Sequence, residues 1–501
     1  MKQTNTHYLP NELYSAQQSR ELDRIAIEQH GVGGYTLMRR AGRGMWQCIL
    51  AAYPKVSAIT VFCGSGNNGG DGYVVATVAK AAGIDVQVIS VADTAKLSGA
   101  ALTAFEQAKD AGIAIEQFSD VIEIAGELVV DALLGTGLNK NVSREYLAAI
   151  KCINAASLPV ASADIPSGLC ANTGSILGSA VQANLTVTFI GVKQGLLTGN
   201  GPACSGQLSY DDLALPSPVF DAVASTVKRL PENLFKQCLP ARNKAAYKGS
   251  NGHVLIVGGD KGFAGAVAMA AEAALRVGAG LVSVATRPEH VAAIVARTPE
   301  VMVHGVSSGQ ELALLVEQTD VIVVGPGLGQ SAWSEQLLQQ VTAATVPLVM
   351  DADALNLLAA KRVIRQRRRD NWILTPHPGE AARLLQTTTE EIQTDRFAAV
   401  IELQKIYGGV AVLKGSGTVV KGAHENIYLC AAGNPGMATG GMGDVLSGVL
   451  GGLLAQGLSV DESGQCGVLL HSTAADVAAT NGERGLLATD VISELRILVN
   501  P

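Results

Sequence analysis

Residues 58–82, AITVFCGSGNNGGDGYVVATVAKAA, decide the fold. A six-residue apolar run rich in β-branched side chains passes straight into a glycine-rich turn and then into an alanine-rich segment. That is the strand–turn–helix step from which parallel α/β sheets are assembled. The turn contains G-x-G-x-x-G, the dinucleotide fingerprint, but its middle is Asn67-Asn68 and it continues into Gly70-Asp71. A pyrophosphate at such a turn is held by backbone N–H groups and the positive end of the helix, and a carboxylate at Asp71 would repel it. The fingerprint also needs an acid at the end of the second strand. Asp85 precedes the next apolar run, VQVISV, and Asp93 falls two residues beyond it.

The same pattern recurs along the chain. The first segment has strand candidates AITVFC, VQVISV, ELVVDAL, PVASADI and LTVTFI; the second has HVLIVGG, LVSVAT, VIVVGPG, PLVMDAD, WILTP and VAVLKG. Apolar runs alternating with helical stretches indicate parallel sheets covered on both faces. Between the segments lies ALPSPVFDAVASTVKRLPENLFKQCLPARNKAAYKG, with four prolines and no sustained period. The boundary is therefore placed near Thr226–Leu230, giving an α/β protein of two domains, 1–225 and 226–501. No internal repeat is evident.

A chain of 501 residues exceeds the size at which single cores stop growing, which agrees with two domains. Its 48% hydrophobic residues and 56 glycines suit glycine-punctuated α/β architecture and exclude a disordered chain. A net charge of −7 gives no reason to expect nucleic acid. The one basic run, RVIRQRRRD from Arg362 to Asp370, reads as a solvated helix end or loop. The eight cysteines are scattered, without C-x-x-C or metal-ligand spacing, and are expected to be reduced, buried thiols of a cytoplasmic enzyme. The N-terminus, MKQTNTHYLPNELYSAQQSRELDR, lacks the apolar core of a secretory signal. VLSGVLGGLLAQGL, from Val445, is shorter than the ~20 residues of a membrane span and reads as a buried helix.

Ligands of a parallel sheet bind where the chain leaves the carboxyl ends of the strands. In the first segment three strands end in polar or glycine-rich loops: GSGNNGGDG, the loop that begins DALLGTGL at Asp131, and DIPSG from Asp164. Parallel strands bring all three to one edge. Taken singly, Asp71 could be an N-cap, Asn67 and Asn68 left-handed turn residues, and Asp131 and Asp164 loop caps. Together they supply two Asn, three Asp and Ser167 at one edge, oxygen donors that suit a monovalent or other hard cation.

NNGGDG, DALLGTGL and DIPSG in this order, preceded by LMRRAG at Leu37, closely resemble the NAD(P)H-hydrate epimerase family across residues 10–220. The resemblance implies a Rossmann-like three-layer αβα sandwich that interconverts the R and S forms of hydrated nicotinamide cofactors. It implies substrate contacts at Asn67, Asn68, Gly69, Gly70 and Asp71, at Gly135, Thr136, Gly137, Leu138, Asn139, Lys140 and Asn141, and at Arg144. It further implies potassium at Asn68, Asp131 and Ser167, and Asp164 as the acid/base at the carbon bearing the hydroxyl.

The second segment is most informative at NPGMATGGMGDVLSGVLGGLLAQG, from Asn434. Gly440, Gly441 and Gly443 permit positive φ and leave N–H groups unobstructed, forming with the following helix an anion hole for phosphate. Asp444 then stands where a carboxylate can accept a hydroxyl proton, although it could also be a plain helix cap. VLKGSGTVV offers Lys414, Gly415, Ser416, Gly417 and Thr418 in a strand-loop-strand, and LTPHPGE offers His377 at a strand end, with Pro378 and Glu380 marking a helix start. NKAAYKGSNGHVLIVGG, the FAGA loop at Phe263, GPGLG, MDADALNLL, LTPHPGE, LKGSGT and NPGMATGGMGD together resemble the ADP- or ATP-dependent NAD(P)H-hydrate dehydratase branch of the ribokinase-like superfamily, across residues 229–499. The resemblance implies a ribokinase-like αβα domain that phosphorylates the ring hydroxyl of the S hydrate and eliminates phosphate to restore NAD(P)H. Ala264, Gly327, His377 and Asp444 would contact the hydrate, with Asp444 as acid/base. Lys414 to Thr418 and Gly443 would contact the nucleotide.

The expected substrates are NADHX and NADPHX with ADP as donor, or ATP as the alternative, and with magnesium because a phosphoryl group moves. A homo-oligomer without membrane or nucleic-acid partners is expected. The competing reading is a ribokinase-like, ATP-dependent vitamin or sugar kinase with a fused ligand-binding domain.

Overall fold

The computed structural model describes residues 9–91, 93–361, 363–364 and 367–500, so Arg362, Arg365 and Gln366 of the basic run and the first eight residues of the amino-terminal stretch lie outside the described residues. The chain divides into two compact units, one ending at Lys228 and one beginning at Arg229.

The strands of the first unit are β1 (Glu12–Tyr14), β2 (Ala58–Cys63), β3 (Asp85–Ser90), β4 (Ile115–Gln117), β5 (Leu128–Ala132), β6 (Val160–Ala163), β7 (Leu185–Phe189), β8 (Val192–Lys193) and β9 (Gln207–Asp211), and β10 (Val227–Arg229) runs through the division. Seven of them form a sheet in the order β4-β3-β2-β5-β6-β7-β9, every neighbouring pair parallel. β5 is buried along its whole length, as expected of a strand with helices over both faces. The order runs outward from β2 to β4, then returns to β5 and proceeds the other way. The reversal opens a crevice at the carboxyl ends of β2 and β5, the position at which doubly wound sheets take ligands.

The second unit repeats the plan with β11 (His253–Val257), β12 (Leu281–Thr286), β13 (Met302–Gly305), β14 (Val321–Val324), β15 (Leu348–Met350), β16 (Trp372–Leu374), β17 (Val410–Leu413), β18 (Thr418–Lys421) and β19 (Ile427–Cys430). Their order is β13-β12-β11-β14-β15-β16-β17-β18-β19, with the reversal between β11 and β14. β13 through β17 are mutually parallel, but β17, β18 and β19 form an antiparallel meander. The sheet is thus not purely parallel as its strand runs suggested. The links between these last strands are too short for a crossover, which needs a dozen or more residues.

The apolar stretch from Val445 lies in the buried helix Met442–Ala455, packed on the helix Ala264–Arg276. Among the described residues no helix is long and apolar enough to cross a membrane. All eight cysteines are free, but they are not all buried as expected, since Cys152, Cys170 and Cys238 are partly exposed. The basic run is not uniformly solvated: Arg369 is buried, its guanidinium donating to Asn371 Oδ1 at 3.1 Å and to Val346 O at 3.0 Å. Burying the stem while hydrogen-bonding the head is how an arginine can occupy an interior position.

Gly64 is where the first unit's two crevice loops meet. A Cβ there would lie 1.8 Å from the carbonyl oxygen of Leu133. Gly64→Ala is therefore expected to destabilise the first unit by about 2 kcal/mol through forced backbone displacement, seen in calorimetry as a lowered transition for that unit.

Candidate functional site

Each unit gathers its polar groups on the carboxyl edge of its own sheet. In the first, the helix after β2 begins at Asn67, with Gly66 as its N-cap. Asn67 and Asn68 are therefore the opening residues of the helix and not left-handed turn residues. Asp71 lies in the second turn and is not a cap, because the chain becomes helical four residues earlier than the glycines suggested. Asn67 is exposed and Asn68 is buried. Gly69 and Gly70 are buried against the turn and the helix Gly34–Ala52, where a Cβ on Gly69 would meet Gly64 O and one on Gly70 would meet Met38.

Asp131 belongs to β5 itself and is fully buried, and its carboxylate does cap the loop that follows, its Oδ1 accepting from Leu133 N–H at 3.3 Å. Its Oδ1 accepts from Ser167 Oγ at 2.6 Å, and its Oδ2 from Ser162 Oγ at 2.8 Å and Ser167 N–H at 2.9 Å. Burial pushes this carboxyl up, while the Ser167 and Ser162 donors oppose the shift. Asn68 is only 8% exposed, and both its Oδ1 and Nδ2 are buried without a hydrogen-bond partner. A buried amide left unsatisfied costs of order 1–3 kcal/mol, so a ligand there would relieve it. It sits beside Gly135, whose Cβ would lie 3.4 Å from Asn68 Cβ. From Gly135 the loop continues through Thr136, Gly137, Leu138, Asn139, Lys140 and Asn141, of which Gly137 and Asn139 to Asn141 are exposed. Arg144 is exposed at the start of the helix Arg144–Ala155.

Asp164 follows β6 with φ +65°, a left-handed conformation that Asp tolerates better than most residues. Its Oδ1 accepts from Phe189 N–H at 3.1 Å, from Thr188 Oγ at 3.3 Å and from the Lys193 ammonium. Lys193 is 2% exposed; its ammonium also donates to Phe189 O at 2.9 Å and Thr188 Oγ1 at 3.2 Å. Two further carboxyls feel this pair. Burial raises Asp23 to about 6, with Lys193 opposing and Asp164 adding. Burial also raises Asp71 well above the usual carboxylate range, reinforced by Asp164 and Asp23. The edge thus holds three carboxyls around one buried ammonium ion.

In the second unit, Ala264 opens the helix Ala264–Arg276 after the β11 loop, and Gly327 lies in the β14 loop with φ +54°. The two loops touch: Asp260 N–H donates to Gly327 O at 2.7 Å, and a Cβ on Gly327 would meet Phe263 at 2.6 Å. Both loops flank the reversal point between β11 and β14.

The rest of the edge is charged. Lys414, just past β17, donates to Asp351 Oδ1 at 2.6 Å and lies 3.9 Å from Glu380 Oε2. Asp351 also accepts from Thr375 Oγ1 at 2.9 Å and from Ser447 Oγ at 2.9 Å. Burial pulls the Lys414 ammonium down, but Asp351 and Glu380 outweigh it and hold it above the ordinary lysine range. His377 is the N-cap of the helix Pro378–Leu385, its Nδ1 accepting from Gly379 N–H at 3.0 Å. Burial, Lys414 and Arg383 push His377 down, so it is a neutral imidazole. The loop Gly415, Ser416, Gly417 is tied from below by the fully buried Arg396, whose Nη2 donates to Leu413 O at 3.0 Å and Lys414 O at 3.2 Å. Thr418 Oγ1 closes the turn onto Gly415 O at 3.1 Å.

Of the three glycines expected to take positive φ before Asp444, only Gly441 does so, at +90°, as N-cap of the helix Met442–Ala455. Gly443 is inside that helix; a Cβ there would come within 3.4 Å of both Asp351 Oδ2 and Lys414 Nζ. Asp444 is the third helical residue and not the cap. Burial raises it to about 7, with Asp351 adding and Lys414 opposing.

Sequence reasoning missed Lys193, Asp23, Asp351, Ser447 and Arg396. Lys193 stands three residues beyond LTVTFI and Asp351 inside the quoted MDADALNLL, so both carried a strand-end signal. Asp23 and Arg396 lie in helices, where nothing local marks them.

Two family models match separate parts of the chain. A family model described as YjeF-related protein N-terminus matches residues 34–195, and one described as NAD(P)H-hydrate dehydratase matches residues 254–496. The chain is 49% identical to the bifunctional NAD(P)H-hydrate repair enzyme Nnr of Coxiella burnetii, over 98% of this chain and 99% of that one. It is 44% identical to the enzyme of the same description from Escherichia coli, over 98% and 95%. Among solved structures, a ribokinase-like superfamily protein from Enterococcus faecalis superposes with a TM-score of 0.51 at 32% identity, covering 55% of this chain and 95% of that one.

Removing the cation from the Asp164 pair leaves a half-buried carboxylate without its partner. Lys193→Met is expected to destabilise the first unit by roughly 3 kcal/mol while the second unit's transition stays in place, as read by scanning calorimetry.

Proposed function

Since the chain belongs to the family of bifunctional NAD(P)H-hydrate repair enzymes, we propose that each carboxyl edge is one of its two active sites, with the change of function placed between residues 1–225 and 226–501. The enzyme itself carries an epimerase and a dehydratase domain: one interconverts R- and S-NAD(P)HX, the other dehydrates S-NAD(P)HX to NAD(P)H at the expense of a nucleotide phosphate. The observation that carries the assignment of residues is shared by both edges. Each holds an aspartate, Asp164 or Asp444, under the influence of a lysine, Lys193 or Lys414.

In the epimerase domain the substrate ring lies over the crevice between β2 and β5, against Asn67 to Asp71 and Gly135 to Asn141, with Arg144 at its rim. Inverting the carbon that bears the hydroxyl requires the hydroxyl to leave with a proton and water to return on the opposite face. Asp164 moves that proton, and Lys193 holds its carboxylate in place. Potassium fits the donor set, since Asn68 offers an unsatisfied buried amide, Ser167 a hydroxyl and Asp131 the charge. When bound, the ion would supply positive potential beside the crevice.

In the dehydratase domain the hydrate occupies Ala264, Gly327, His377 and Asp444, and the donor occupies Lys414 to Thr418 and Gly443. Arg396 donates to the carbonyls of Leu413 and Lys414, which holds the loop that would meet the phosphate. Asp444 accepts the proton of the ring hydroxyl as that oxygen attacks the donor's terminal phosphorus, and the bond from phosphorus to the nucleotide breaks. Phosphate then leaves the ring and the adjacent carbon gives up a proton, restoring the double bond. Among the described residues no cluster of three or more His, Cys, Asp or Glu is placed to hold a metal. Magnesium would accordingly come with the phosphates. ADP is the proposed donor and would give AMP. Eight free thiols support a cytoplasmic setting, and a homo-oligomer is part of the same proposal.

The test follows reduced-nicotinamide absorbance when mixed-epimer NADHX meets the protein with magnesium and potassium, with ADP or ATP added separately. Full recovery is expected with ADP; recovery halting near half would overturn the epimerase reading, and a stable phosphorylated product would favour the small-molecule kinase. Asp444→Asn is expected to lower dehydration at least ~100-fold with epimerisation intact. Asp164→Asn is expected to leave one epimer rapidly consumed and the other stalled beyond its spontaneous rate. Because Asp444 must be ionised to accept a proton and is raised to about 7, dehydration is expected to fall as pH drops below that value.

A further inference from the structure

Asp351 occupies the N-cap position of the helix Ala352–Ala360, yet its side chain makes no capping hydrogen bond. Asp is among the best residues at that position because its carboxylate takes the helix's own free N–H groups. Here the carboxylate turns away from its helix, and the next residue, Ala352, is held at φ +46°, a left-handed conformation that alanine adopts only at a cost. Such strain persists where surrounding contacts over-determine it.

Those contacts come from three other elements. Thr375 at the end of β16, Lys414 at the end of β17 and Ser447 in the helix Met442–Ala455 all donate to the Asp351 carboxylate. Asp351 is 2% exposed, so it has exchanged water for these donors. The pair it makes with Lys414 lies directly against Gly443, in the turn that carries Asp444, since a Cβ on Gly443 would touch both charged groups at 3.4 Å. Lys414 therefore stands at the helix N-terminus, between two carboxylates that could each claim it.

We propose that Asp351 is the positioning residue of the dehydratase site: it clamps the Lys414 ammonium beside Gly443, where it faces the transferring phosphoryl group, and keeps it from pairing with Asp444. This rests on the reading of Asp444 as the base. A base neutralised by a neighbouring lysine would be too weak to take a hydroxyl proton, and a lysine spent on the base would be lost to the phosphate. One buried carboxylate solves both problems by holding the cation a fixed distance from the base. The charged groups facing Asp444 are Asp351, which raises it, and Lys414, which lowers it. Glu380 and the buried, neutral His471 face Lys414 in turn. Neither is positioned by a direct bond to the Asp351 carboxylate.

The experiment measures kcat/KM for dehydration against pH in the full-length enzyme, with epimerisation by the same chain as the internal control for folding. The wild type is expected to lose activity below about pH 7; a profile without that limb would overturn the assignment of Asp444, whatever the variants do. Asp351→Asn removes the clamp and one negative neighbour, so its limb is expected to move down by about one pH unit or more, with kcat at least ~10-fold lower. Lys414→Met, with Asp351 intact, is expected to move the limb up and to raise the KM for the donor. Epimerisation is unchanged in both. A lowered kcat in Asp351→Asn with the limb unmoved would make Asp351 merely structural and overturn the inference while leaving Asp444 as base. If Asp351→Asn unfolds the second unit, Lys414→Met decides alone, and a limb that fails to rise overturns it.

Discussion

Parallel strands all leave a sheet at the same edge, and both halves of this enzyme are organised by that constraint. Chemistry-bearing residues separated by tens of positions converge because each follows a strand: Asn68 after β2, Asp131 at the end of β5, Asp164 after β6 and Lys193 after β7. The second half repeats the arrangement with Gly327, Asp351, Thr375 and Lys414 after four successive strands from β14 to β17. In each sheet the order of strands reverses once, and the reversal opens the crevice in which a substrate ring can lie.

What differs is how each edge handles its charge. The epimerase edge concentrates three carboxyls around Lys193, with Asp164 bonded to it directly and Asp23 and Asp71 raised by burial and by one another. The dehydratase edge spreads its charge along the sheet: Lys414 is bonded to Asp351, approached by Glu380 and only sensed by Asp444. The difference follows the chemistry. Epimerisation moves a proton and water at one carbon and returns the site to its starting state. Phosphoryl transfer must stabilise negative charge on the phosphate and still leave a competent base nearby, so cation and base have to be kept apart.

Fusing the two activities has a chemical rationale that the geometry does not weaken. A site that accepts one epimer strands the other, and an epimerase at equal stoichiometry removes that limit.

The sequence by itself determined the plan. β-branched runs punctuated by glycine and alternating with alanine-rich stretches bury their apolar faces as covered parallel sheets, and NNGGDG, DIPSG and GGMGD mark tight turns and helix starts at the sheet edges. Those signals are local, which is why the strand-end residues Asp131 and Asp164, and Asp444 in the first turn of its helix, were legible. Tertiary structure decided what each carboxylate experiences. Asp71 reads as a cap and proves to be a half-buried member of a charged cluster, because helix onset depends on how Gly66 leaves β2. Asp351, at the N-cap position of its helix within MDADAL, serves Lys414 instead of that helix. Asp23 and Arg396 carry no motif at all, since a side chain's charge partners are set by the packing of distant helices onto the sheet edge. Protonation depends on burial and neighbours within a few ångströms, and those neighbours exist only once the chain has folded.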